Sequence, residues 1–219
     1  MSQVILQTAR AGHTAPVRIV MLPAAYAAAG DFVEHGFGHA VRERQLDIDL
    51  VFAGFELPHV TDRTVLTRLR QEHILPARAG GASVWLGGIS LGGYLALCYA
   101  ERHGQELGGL CLFSPYLGSH IVTGEIARAQ GVRGWHPGEL AEDDDERRVW
   151  RFIKTRAKRF PIHLGMARAD RFADRHAVLA AALPAADVDR VDGGHDWPTW
   201  RRLWDNFLDA RFAGLAARA

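Results

Sequence analysis

Residues 83–93 read Ser83-Val84-Trp85-Leu86-Gly87-Gly88-Ile89-Ser90-Leu91-Gly92-Gly93. The first half is a short apolar run, the pattern of a strand covered on both faces. From Leu91 to His103 the apolar residues recur at helical spacing instead. Between the two lies Gly88-Ile89-Ser90-Leu91-Gly92, a G-x-S-x-G sequence. The pattern is common by chance, and its place gives it weight. A strand, a sharp turn and a helix are the setting that holds a serine at a strained bend with its hydroxyl projecting from the sheet, and flanking glycines remove side chains that would collide there. The competing reading is a glycine-rich turn with an inert serine. The Gly87-Gly88-Ile89-Ser90-Leu91-Gly92 stretch does not fit a dinucleotide fingerprint, and no Lys-Ser/Thr pair follows as a phosphate loop requires.

Outward from this stretch, short apolar runs alternate with helical patterns. Strands are expected at 17–23, 47–52, 83–88, 109–113, 161–167 and 187–191, with an edge strand at 4–7. Helices are expected at 31–44, 62–73, 91–103, 119–130, 142–158, 171–182 and 199–212. Asp31, Asp62 and Ser119 stand at or near helix starts, and Pro198 suits the opening of the last helix. The acidic run Glu142 to Glu146 precedes Arg156, Lys158 and Arg159, a charge order that complements a helix dipole and calls for no metal. Strict alternation implies right-handed βαβ units and one doubly wound, mostly parallel sheet of about six or seven strands with helices on both faces. A single domain spanning 1–219 is expected, with residues 131–140 as a short lid or surface loop.

Composition narrows the function classes. The 219 residues are 48% hydrophobic and 23% charged, and the net charge is +1, without the excess expected of a nucleic-acid binder. No apolar run approaches the roughly 20 residues that span a bilayer, and the start MSQVILQTARAGH lacks the layout of a secretion signal. A cytoplasmic protein with no membrane partner is therefore expected, with Cys98 and Cys111 as reduced, buried thiols.

A serine hydroxyl attacks poorly at neutral pH unless a histidine takes its proton and a carboxylate orients that histidine. Of eleven histidines, His195 stands out because Gly193-Gly194-His195-Asp196 follows the last strand and precedes the final helix. Asp170 falls just beyond the strand that ends at Ala167, whereas Asp174 belongs to the next helix. The order Ser90, Asp170, His195 is the one this fold uses. Asp196 reads as a supporting or capping residue. His35 and His39 have the i, i+4 spacing of helical metal ligands, but no third ligand accompanies them and no metal is expected.

The chain resembles the α/β-hydrolase superfamily. The likeness runs from LPAAYAAAGDF through GISLGG to MARADRF and VDGGHDW, and the tail around Gly193 to Trp197 with Trp200 is similar to the histidine loop of enterochelin-esterase-like and esterase-D-like hydrolases. It implies acyl transfer to serine followed by hydrolysis, without a cofactor. One oxyanion donor is then the N–H of Leu91. The second belongs to the loop after the first central strand, where Pro23-Ala24-Ala25 replaces the superfamily's usual His-Gly, and Ala25 is preferred to Ala24. Loops at the strands' carboxyl ends offer Tyr26, His59, Tyr116 and Trp197 as pocket residues, with Glu56 and Trp135 as further candidates. Only about 25 residues separate the strand ending at Phe113 from the next long helix, so a minimal cap and an accessible site are expected.

The expected function is hydrolysis of a small-molecule carboxylic ester through a Ser-His-Asp triad and an acyl-enzyme. The same triad would serve a thioesterase, an amidase or a peptidase. The reading from another class is a non-catalytic scaffold that binds a small ligand or a partner.

Overall fold

The strands are β1 (Val4–Gln7), β2 (Val17–Leu22), β3 (Ile48–Ala53), β4 (Ser83–Ile89), β5 (Gly109–Phe113), β6 (Ile162–Ala167) and β7 (Val188–Val191). In the computed structural model, which describes residues 3–61 and 64–215, they form one sheet in the order β1-β3-β2-β4-β5-β6-β7. Only the edge strand β1 is antiparallel, paired with β3. The other pairs are parallel. The connections reverse direction between β2 and β4, and the register there sets Leu22 beside Gly88. In open α/β sheets the crevice at such a reversal is where ligands bind.

The helices are α1 (Ala29–Glu34), α2 (Phe37–Glu43), α3 (Leu57–Thr61), α4 (Thr64–Arg68), α5 (Leu75–Ala79), α6 (Leu91–His103), α7 (His120–Arg128), α8 (Asp145–Arg156), α9 (Ala173–Ala180) and α10 (Trp197–Phe212). Strand residues alternate between two cores. Ile19, Met21, Cys111 and Phe113 meet α1, α2 and α10, while Val20, Leu22, Leu110 and Leu112 meet α4 to α9. Each core holds a fully buried tryptophan with its indole N–H satisfied: Trp204 donates to the Phe37 carbonyl at 2.9 Å and Trp150 to that of Leu117 at 2.9 Å. Cys98 and Cys111 are both free and buried. No helix among the described residues is long and apolar enough to cross a membrane.

Helix boundaries depart from the sequence reading in informative places. The helix expected over 31–44 is two, broken at Gly36, whose φ of 76° is the left-handed turn that lets Phe32 and Phe37 meet edge to face at 5.0 Å. The helix expected over 62–73 runs on to Ala79 through a π-helical segment, Leu69–Ile74, just before Pro76. Such a widened turn relieves the clash between a proline ring and the preceding turn. Asp62 lies outside the described residues. α8 starts at Asp145, capped by Asp144, whose side chain accepts from Arg147 N at 3.1 Å. Ser119 is the N-cap residue of α7, but its hydroxyl donates to Glu146 at 2.6 Å instead of capping. Residues 131–140 have no regular structure, and Val132 and Trp135 within them are buried.

Candidate active site

The turn after β4 is fixed by steric necessity. Ser90 sits at φ 51° and ψ −112°, a conformation that costs a non-glycine residue on the order of 1–3 kcal/mol and persists only where its surroundings demand it. Its N–H donates to the Phe113 carbonyl at 3.0 Å, and its carbonyl accepts from Tyr94 N at 3.1 Å and Tyr116 N at 2.9 Å. A Cβ on Gly88 would stand 2.3 Å from the Gly92 carbonyl carbon, and one on Gly92 would stand 2.2 Å from the Leu22 oxygen. Both contacts are backbone on backbone, so the helix can approach the strand ends this closely only with glycine at both positions.

Two and three strands away from β4 in the sheet order, the loops after β6 and β7 are stitched together. Arg168 N donates to the Val191 carbonyl and Ala169 N to that of Gly193, each at 3.0 Å. Gly193, at φ 140°, folds against Thr199, where a Cβ would meet the threonine Oγ1 at 2.3 Å. Asp196 then caps α10 by accepting from Thr199 N at 3.0 Å. His195 is thereby held between a tied loop and a capped helix, with its Nδ1 2.8 Å from Asp170 Oδ2. The other carboxylate oxygen of Asp170 accepts from Phe172 N at 2.8 Å.

The Asp170 carboxylate is fully buried. Burial alone would raise its pKa, but the bonds from His195 and the Phe172 N–H, with the nearby Ser114 hydroxyl, outweigh it and hold the value down at about 2. The carboxylate is therefore ionised at neutral pH and accepts from Nδ1–H, which leaves Nε2 as the free basic nitrogen. Phe172 and Trp200 meet the imidazole edge to face at 5.4 and 5.1 Å and flank it without touching its polar atoms. Behind the acid, buried His176 donates from Nε2 to the Pro115 carbonyl at 3.0 Å and clamps the loop after β5 onto α9. Among the described residues no hydrogen bond joins Ser90 Oγ to His195; the serine and the His195–Asp170 pair stand at the same sheet edge with that link unmade.

The remaining residues singled out from the sequence occupy varied places. Leu91 opens α6, where first-turn N–H groups lack helical partners. Ala25 stands in the turn after β2, half-buried, and Ala24 is buried with its carbonyl bonded to Ala27 N. Tyr26 is 94% exposed at φ 64°. Tyr116 packs edge to face on Tyr94 at 5.4 Å, and its hydroxyl donates to Glu146 at 3.4 Å. Trp197 stacks on His35 at 4.5 Å and reaches His195 only through Trp200. Trp135 is buried, its carbonyl bonded to Lys154. His59 lies in α3, and its side chain is outside the described structure. His39 is paired with Glu43, and no cluster among the described residues could hold a metal ion. Phe172 was not singled out from the sequence; its place two residues after Asp170 was the available signal.

The sequence profile of the family described as "Putative esterase" matches residues 66–208. Among curated proteins no sequence matches the chain. Solved structures of similar fold include an S-formylglutathione hydrolase from Staphylococcus aureus, at 12% identity and TM-score 0.59, covering 90% of this chain and 81% of that one. Another S-formylglutathione hydrolase, from Agrobacterium tumefaciens, has 15% identity and TM-score 0.56, covering 94% of this chain and 86% of the other. Est1E from Butyrivibrio proteoclasticus has 12% identity and TM-score 0.61, covering 94% and 92%. At these identities the likeness is one of fold, the α/β-hydrolase fold.

Proposed function

The chain belongs to this esterase family and is a carboxylic ester hydrolase, and on that premise we propose that it acts through a Ser90-His195-Asp170 triad and an acyl-enzyme. The observation that carries the assignment is the buried, 2.8 Å pair of His195 Nδ1 with an ionised Asp170, at the same sheet edge as a serine in a strained elbow.

In this scheme His195 Nε2 takes the Ser90 proton as Oγ attacks the ester carbonyl, and Asp170 stabilises the imidazolium that forms. The oxyanion is met by the Leu91 N–H and by the N–H of Ala25, across the β2–β4 crevice. Each such preorganised donor is worth about 3 kcal/mol. Collapse expels the alcohol, which leaves with the proton held on Nε2. Water then gives a proton to the same nitrogen as its oxygen attacks the acyl-serine, and collapse of that second intermediate releases the carboxylic acid as Nε2 returns the proton to Ser90 Oγ. Tyr26 and Tyr116 border the substrate, and the short segment between β5 and α8 suits small esters. Thioesters belong in the substrate panel, because the same steps cleave them.

A fluorophosphonate probe should label the wild-type chain at Ser90. Ser90→Ala should abolish labelling and lower turnover of short p-nitrophenyl esters by roughly 10⁴ or more. A folded, monodisperse sample that takes no label and turns over no ester would refute the assignment.

A further inference from the structure

The seam of α7, α8 and α9 holds a groove of about 840 Å³, within the range of small-molecule sites. Its apolar lining comes from Val132 and Ile153 and from Ala177, Val178 and Ala181. The alanines leave the space open, since larger residues on the same helix face would fill it. Arg133, Lys154 and Lys158 line the rim, and none of the lining side chains is acidic.

Several other cations of this helix layer are paired, although Arg128, Arg156 and Arg159, like Arg133 and Lys158, form no ion pair among the described residues. Arg147 pairs with Glu125 and Asp144, Arg148 with Glu101, and Arg102 with Asp145. Lys154 donates to the Trp135 carbonyl, so its stem is pinned along the groove wall. Arg133 and Lys158 are exposed and form no ion pair among the described residues. The dipole of α8 favours cations near its carboxyl end, but it accounts for neither the cavity nor Arg133, which belongs to a different segment. Ala127 and Val178 also line a second cavity of about 240 Å³, whose lining includes Trp150 and Asp174. That cavity ends at Arg175, whose guanidinium lies 5.5 Å from the Phe172 ring that abuts His195.

We propose that this groove is a second ligand site, taking an amphipathic carboxylate whose apolar body lies along the alanine-lined seam and whose anionic head is held by Arg133 and Lys158. An apolar trough bordered by cations, with no acidic side chain in its lining, complements a monoanion with a tail. It fits a neutral lipid less well, because nothing would then offset desolvation of the two cations. The site stands independently of the triad assignment, since decanoate is not hydrolysed and its binding needs no catalysis.

The test is calorimetric titration of the full chain with decanoate and with decanol. Saturable one-site binding of decanoate is expected, with decanol weaker. Affinity should drop about tenfold or more both in Arg133→Glu/Lys158→Glu and in Ala177→Trp, which fills the trough from an exposed position. Ester hydrolysis and the thermal transition of both variants should match wild type, which shows that they fold. Absent saturation, equal affinity in the variants, or decanoate inhibition competitive with ester to the same extent in all three proteins would overturn the proposal. Sedimentation with phosphatidylglycerol vesicles without binding of monomeric decanoate would also overturn it, in favour of a membrane surface.

Discussion

Replacing Asp170 by asparagine keeps the shape of the buried group and removes its charge. The Phe172 N–H can still find an oxygen, but His195 Nδ1–H then faces either a neutral acceptor or an amide N–H, and the second case inverts the tautomer needed for catalysis. The wild-type carboxylate is held near 2 against an ordinary value of 3.8. For a fully buried group, that depression corresponds to about 2 kcal/mol of stability at neutral pH. The contribution is complete above the ordinary value and vanishes as pH falls through the depressed one. Asp170→Asn should therefore unfold roughly 4–8 °C below wild type at pH 7, and the gap should close steadily between pH 4 and pH 2. Turnover should fall by about 10⁴, as when a triad carboxylate is lost elsewhere. Differential scanning calorimetry across pH, with p-nitrophenyl acetate kinetics at pH 7, reads both effects. A variant retaining more than a tenth of wild-type kcat/KM, or a melting gap that does not depend on pH, would refute the reasoning.

Gly92→Ala tests the elbow. Its Cβ would lie 2.2 Å from the Leu22 oxygen and 2.5 Å from the Pro23 oxygen, so α6 must back away from β2 at a cost of about 3 kcal/mol. Activity should fall at least tenfold in the folded fraction because Ser90 and the Ala25 turn separate; an unchanged melting temperature would argue against the packing account. His163→Leu tests a buried imidazole on β6 whose two nitrogens have no partner, and burial pushes its pKa from 6.5 to about 4. The unfolded chain takes up this proton near 6.5 and the folded one only near 4, so wild-type stability falls with pH between those values while the leucine variant escapes this loss. At pH 7 the variant should be more stable by about 1 kcal/mol, and the advantage should widen by about 3 kcal/mol by pH 4. Parallel melting curves across that range would contradict this.

The strands were legible to within a residue at either end because a central strand covered on both faces is a nearly unbroken apolar run bounded by turn residues. β5 is the clearest case. The elbow was legible because its chemistry is local: the glycines and the serine lie within five residues of one another. The break at Gly36 was hidden because Phe32 and Phe37 both belong to the apolar pattern, so periodicity continues across a turn that only backbone geometry reveals. The helix expected to end at residue 73 continues through Pro76, and the π-helical segment that carries it there leaves no mark on composition. At the site, Asp170 and His195 could be placed by their positions just past strand ends. The Ser114 hydroxyl near Asp170 arises from long-range folding and no local spacing announces it, whereas Trp200, packed on His195, lies only five residues along the same loop and helix start.

The pair of backbone bonds from Arg168 and Ala169 to the loop after β7 continues the β6–β7 ladder beyond the strands. Asp170 and His195 therefore ride on one two-stranded raft, and Ser90 rides on another strand with β5 between them. Small changes in twist or spacing across β5 would lengthen or shorten the gap between serine and imidazole while leaving the imidazole's grip on the carboxylate untouched. The sheet thus works as a caliper whose jaws are set by strand geometry, with the His195 imidazole already oriented by Asp170 on one of them.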